Sequence, residues 1–158
     1  MTKSLILALG NPFRGDDGIG AAVIAALRHQ DLPPGVIAID GGTPGLETVL
    51  VWQGYARVII VDAAEMGIMP GVWKRFLPDE AVFPIKKESM RGTLHDAGLA
   101  DALALAAALE MLPAELVFYC VQPAFTGWSA DLTAPVAAAI PSLCSAISSE
   151  LAAYTVDC

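Results

Sequence analysis

Residues Leu5-Ile6-Leu7-Ala8-Leu9-Gly10-Asn11-Pro12-Phe13-Arg14-Gly15-Asp16-Asp17-Gly18-Ile19-Gly20 decide how the chain folds. The five apolar residues Leu5 to Leu9 predict a strand buried on both faces, and Ala21 to Arg28 predict a helix. A loop with four glycines joins them, so the stretch is one βα unit. Two adjacent carboxylates stand where the helix begins. A helix cap explains one of them, because Asp caps well. Burying the second beside it is costly unless a cation, the helix dipole or hydrogen-bond donors offset the charge. The loop therefore reads as a site.

The same alternation continues outward. His29 to Gly35 is a turn, Val36 to Ile39 a short strand, and Asp40-Gly41-Gly42-Thr43-Pro44-Gly45 a second glycine-rich loop. Leu46 to Trp52 predicts a short helix stopped by Gly54. Arg57-Val58-Ile59-Ile60-Val61 carries four consecutive β-branched residues, as a central parallel strand should, and ends at Asp62. Edge structure, antiparallel in sense, is expected around Gly71 to Phe76. The polar segment Ile85 to His95 is placed in a surface loop, Leu99 to Met111 in a helix ended by Pro113, and Glu115 to Val121 in the last strand. Leu132 to Tyr154 reads as a terminal helix broken or kinked near Pro141. Strands alternating with helices predict a single three-layer α/β domain over residues 1–158, with a mostly parallel sheet of about five strands and helices on both faces.

Composition agrees. Of 158 residues 55% are hydrophobic and only 16% charged, so most of the chain is interior. The net charge is -8 with nine Lys and Arg, which leaves no basic stripe for nucleic acid or an anionic membrane. Asp101, Glu110, Pro135 and Pro141 interrupt the longest apolar runs, and Lys3 with Leu5 to Leu9 reads as a first strand rather than a leader. A cytoplasmic monomer is expected. Cys120, Cys144 and Cys158 form no Cys-x-x-Cys pair and read as reduced thiols, two of them buried.

In sheets of this kind ligands bind beyond the carboxyl ends of the strands. Asp16 and Asp17, Asp40, Asp62 and Gln122 all fall there. The first loop lacks the Lys-Ser/Thr pair of a Walker loop and the spacing of a dinucleotide fingerprint. Clustered carboxylates with an imidazole suit a divalent cation. The two histidines are His29, at the far end of the first helix, and His95, in the polar loop. No Gly-x-Ser-x-Gly elbow exists, and Cys120 lies within a strand, which argues against a nucleophilic triad. Trp73, Phe76, Trp128, Met66 and Met69 read as core or edge packing.

Taken together, Gly10-Asn11 with Gly15-Asp16-Asp17-Gly18-Ile19-Gly20, Asp40-Gly41-Gly42-Thr43, Val61-Asp62-Ala63 and His95 resemble the NiFe-hydrogenase maturation endopeptidases. Asp62-Ala63-Ala64-Glu65-Met66-Gly67 before Pro70-Gly71, and Val121-Gln122-Pro123, resemble the branch that processes the hydrogenase 3 large subunit. The resemblance implies a protease that removes a C-terminal extension from the hydrogenase large-subunit precursor after nickel insertion. It implies that Asp17, Asp62 and His95 are both the metal-binding and the catalytic residues. Family members carry Asp or Glu at the first position; Thr93-Leu94 stands here where the hydrogenase 2 type has Ser-Pro before the histidine.

Three ligands from three loops make an open site. The expectation is that nickel arrives bound to the precursor and completes its coordination here, with no organic cofactor. Asp16 is expected as an outer acceptor or general base, and with Asp40, Gly41, Gly42 and Thr43 as a substrate contact. Two rivals remain: a non-catalytic metal or cofactor chaperone for the large subunit, and a Mg²⁺-dependent phosphohydrolase using Asp16, Asp17 and Asp62.

Overall fold

The computed structural model describes residues 2–78 and 94–156, the side chains of residues 94–98, 100, 155 and 156 excepted. In chain order the elements are β1 (Ser4–Ala8), a 3₁₀ turn (Gly15–Gly18), α1 (Ile19–Arg28), β2 (Val36–Asp40), α2 (Thr48–Val51), β3 (Arg57–Ala63), β4 (Trp73–Phe76), α3 (Leu94–Ala108), β5 (Glu115–Val121), α4 (Ala134–Ala137) and α5 (Ile140–Val156). The strands form one sheet in the order β2-β1-β3-β5-β4, parallel except for β4, which runs antiparallel along β5.

Alternation within the strands builds two cores. Ile6, Ala8, Ile59, Val61, Val117, Tyr119 and Val121 face α1 and α5, where Val23, Leu27, Leu143, Ile147 and Leu151 meet them. Leu5, Leu7, Val58, Ile60, Leu116 and Phe118 face the other way, onto Val49, Trp52, Leu99, Ala102 and Ala106. Both faces of β1 and β3 are covered, and this is why their sequences are unbroken apolar runs. Trp52 is buried here with its indole N–H donating to the carbonyl of Met111 at 3.2 Å.

Several boundaries differ from the sequence reading. β3 continues to Ala63, so Asp62 lies inside the strand's last turn of pairing, opposite Cys120, rather than after it. α3 begins at Leu94, five residues before the expected start at Leu99. The rest of the expected polar loop lies outside the described residues, as does Cys158. The helix closes at Ala108, not at Pro113: Glu110 adopts φ 55°, and the N–H of Met111 reaches back to the carbonyl of Ala106 at 2.7 Å. The expected terminal helix is two helices, with Pro135 and Pro141 each in a first turn, where a missing N–H costs nothing. By length and composition Ala134–Tyr154 could cross a membrane. Here its second half packs on the sheet through Leu143, Cys144, Ile147 and Leu151. Cys120 and Cys144 are buried, as expected.

Candidate functional site

The chain leaves β1 for the α1 face and β2 for the α2 face, so neighbouring connections diverge between β1 and β3. That point of reversal lies at the carboxyl edge of the sheet, where folds of this order bind their ligands. Asp17, on the loop after β1, and Asp62, at the end of β3, flank it. Their residues are 2% and 4% exposed.

Asp17 is carried by the 3₁₀ turn. One carboxylate oxygen accepts the N–H of Asn11 at 2.7 Å. Gly10 makes this possible: it has φ 120°, and a Cβ there would lie 2.2 Å from the carbonyl oxygen of Asp17 and 3.2 Å from Oδ1. Asp62 accepts the N–H of its neighbour Ala63 at 2.8 Å through Oδ1. Gly20 lets α1 start close against both strands, since a Cβ would lie 2.9 Å from the carbonyl of Val61 and 3.0 Å from the Cβ of Ala8. Residue 20 thus sets the distance between the loop bearing Asp17 and the strand bearing Asp62.

Asp16 has a different environment from its neighbour. It is fully buried. Its oxygens accept the N–H groups of Ala124 (2.8 Å), Phe125 (3.0 Å) and Thr133 (2.7 Å), with the Thr133 hydroxyl at 2.8 and 3.0 Å. Burial pushes its pKa up, but these donors outweigh burial and hold the carboxyl below the ordinary aspartate range. The expected role as general base or substrate contact is therefore corrected: Asp16 clamps the first loop to residues 124–133. Its oxygens are already taken up by internal donors.

The second glycine loop is tied to the first. Gly10 N–H donates to the carbonyl of Gly42 at 2.9 Å, and Gly41 N–H to that of Ala8 at 2.8 Å. A Cβ on Gly41 would lie 2.7 Å from Leu7 Cδ1, so the close approach expected of a substrate there is made by β1 itself. Gly42 is needed for its φ of 64° and faces open space. Asp40 and Thr43 are exposed, and Asp40 accepts the N–H of Gly42 at 3.1 Å.

His95 is the second residue of α3, not part of a loop; its side chain lies outside the described residues. Among the described residues no three His, Cys, Asp or Glu side chains converge on a point that could hold a metal ion. His29 is exposed at the far end of α1. Sequence reading placed Gln122 at a strand end but gave it no role. It is buried; its amide oxygen accepts the N–H of Met66 at 2.7 Å, and its amide nitrogen donates to Glu65 at 2.9 Å. Gln122 thereby fixes the segment that follows Asp62, and its position beside Pro123 past β5 was the available signal. Phe76 and Met66 are buried as expected, whereas Trp128 and Met69 are not: they project from the loops that form this edge.

The family model described as "Hydrogenase maturation protease" matches residues 21–150, a span that holds Asp62 and His95 and begins just after the first loop. HupM of Azotobacter chroococcum, a hydrogenase expression/formation protein, is 38% identical over 76% of this chain and 57% of its own length. HupD of Rhizobium leguminosarum bv. viciae, described in the same words, is 32% identical over 88% of this chain and 69% of its own. The chain thus spans between about half and two thirds of these relatives. The structure of the hydrogenase maturating endopeptidase HybD from E. coli superposes with a TM-score of 0.85 at 28% identity, covering 97% of this chain and 94% of that one. Fold and sequence agree, and the chain belongs to the hydrogenase maturation protease family.

Proposed function

We propose that this protein is a cytoplasmic, monomeric endopeptidase that removes the C-terminal extension of a NiFe-hydrogenase large-subunit precursor once nickel has been inserted. The observation that carries this reading is the pair of buried carboxylates, Asp17 and Asp62, at the carboxyl edge of the neighbouring strands β1 and β3. Two carboxylates, one from a loop and one from a strand end, leave a cation under-coordinated, which suits a metal that arrives with its own ligands better than one held permanently. The nickel of the precursor is then the recognised feature of the substrate, and Asp17, Asp62 and His95 complete its coordination. Held there, the cation polarises the scissile carbonyl or lowers the pKa of an attacking water. The exposed Asp40, Gly41 and Thr43, with the half-buried Gly42 between them, offer a place for the precursor's C-terminal segment to lie alongside.

The test is to offer the protein matched precursors with and without nickel. The reading predicts shortening of the loaded precursor alone. Equal cleavage of both would contradict metal recognition, and a loaded precursor bound but left at full length would favour the chaperone.

A further inference from the structure

Three aromatic side chains stand in water beside the candidate site: Phe13 is 65% exposed, Phe125 50% and Trp128 76%. They are not on a loose loop. Phe13 belongs to the Asp17 loop and the other two to the loop after β5, and the two backbones are joined by Ser129 N–H to the Phe13 carbonyl (3.0 Å), Gly15 N–H to Ser129 (2.8 Å) and Asp16 N–H to Phe125 (2.8 Å). The Arg14 guanidinium sits 4.9 Å from the centre of the Trp128 ring while its Nε donates to the carbonyl of Thr126 at 2.8 Å. The Asp16 carboxylate closes the assembly from beneath. Aromatic rings with an arginine, held rigid before contact, have the composition and preorganisation of a protein-binding hot spot.

Charge narrows the occupant. Among the described residues of the four loops at this edge, Arg14 is the one Lys or Arg, and it is already engaged with Trp128 and Thr126. Asp40 at the end of β2, Glu47 in the loop after it and Asp131 in the loop after β5 are exposed. Exposed aromatics on an edge whose loops carry exposed carboxylates fit an apolar patch that carries Lys or Arg and disfavour an acidic partner, a second copy of this -8 chain included.

We propose that Phe13, Phe125 and Trp128 form a docking platform for such a basic, apolar patch on the folded body of the precursor, a contact separate from the nickel. This rests on the protease reading given above. The experiment measures binding of nickel-loaded, full-length precursor to wild type, Trp128→Ala, and Leu109→Ala, another exposed apolar residue (55% exposed), at the opposite end of the sheet. The expected result is at least tenfold weaker binding for Trp128→Ala, wild-type binding for Leu109→Ala, and loss of wild-type affinity as salt is raised. Equal binding by Trp128→Ala, equal losses in both variants, or sedimentation showing a dimer that Trp128→Ala separates would overturn it. Binding through Trp128 without shortening of the precursor would instead sink the protease reading and leave the platform standing.

Discussion

The carboxylate of Asp16 accepts the backbone N–H of Thr133 at 2.7 Å, across 117 residues of sequence. Thr133 stands at the start of α4, yet its hydroxyl turns to Asp16 and caps nothing in its own helix. One buried side chain therefore holds the loop of Asp17 to the loop of Phe125 and Trp128.

Replacing Asp16 by Asn presents an amide N–H₂ to groups that are themselves donors. The expected cost is roughly 1.5–3 kcal/mol, the range for hydrogen bonds to a charged group. Urea unfolding at neutral pH measures it. The folded-state pKa lies below the unfolded value, so the carboxylate's contribution is present above the unfolded pKa of about 3.9 and is lost as pH falls through the folded one. Asp16→Asn should lack that part of the acid loss.

A half-buried carboxylate adds to the same acid limb. Glu150 on α5 accepts hydrogen bonds from Arg75 (2.6 Å), Tyr154 (2.7 Å) and the Tyr119 hydroxyl. Burial raises its pKa, and the donors from Arg75, Tyr119 and Tyr154 more than reverse this. Its contribution is likewise present above about pH 4.3 and disappears below. Glu150→Gln should cost about 2 kcal/mol at neutral pH and flatten the pH dependence of stability between about pH 5 and 3. Unchanged acid unfolding would contradict this.

Much of this fold was legible because burial writes itself into local sequence. The β-branched run Val58 to Val61 and the stretch Leu116 to Val121 are apolar on both faces since helices cover both, and β5 has the boundaries expected of it. Local pattern did not show that Glu110 closes α3, because a non-glycine residue at positive φ leaves no signature. Nor did it show which way Asp16 and Asp17 point. Adjacent in sequence, they are separated by a 3₁₀ turn that aims one at residues 124–133 and the other back at Asn11. Trp128 was misplaced for a related reason: composition says that aromatics are buried, while only the pairing of Ser129 with Phe13 reveals that this loop lies on the outside.

Glu110→Gly should stabilise the protein by about 0.5–1 kcal/mol. The left-handed conformation costs a non-glycine residue about 1–2 kcal/mol, and the greater freedom of unfolded glycine returns part of the gain. Thermal unfolding of the variant, expected a few degrees higher, checks it.

Two glycine substitutions should separate site from scaffold. Gly10→Ala places a methyl 2.2 Å from the Asp17 carbonyl oxygen, so the loop must shift and carry the Asp17 carboxylate with it. Precursor processing should fall by at least a hundredfold. Gly42→Ala also sits at positive φ but meets nothing within 4 Å, and should cost about 1 kcal/mol of stability with most processing retained. Comparable processing rates in the two variants would contradict the placement of Asp17 at the site.

The most direct measurement is the intact mass of nickel-loaded large-subunit precursor after incubation with wild type and with Asp62→Asn. Loss of one fixed C-terminal peptide with wild type, and no loss with a folded Asp62→Asn variant, is the predicted result. A precursor that keeps its full mass with the wild type, or is shortened equally by the variant, would contradict the assignment of Asp62 to the reaction.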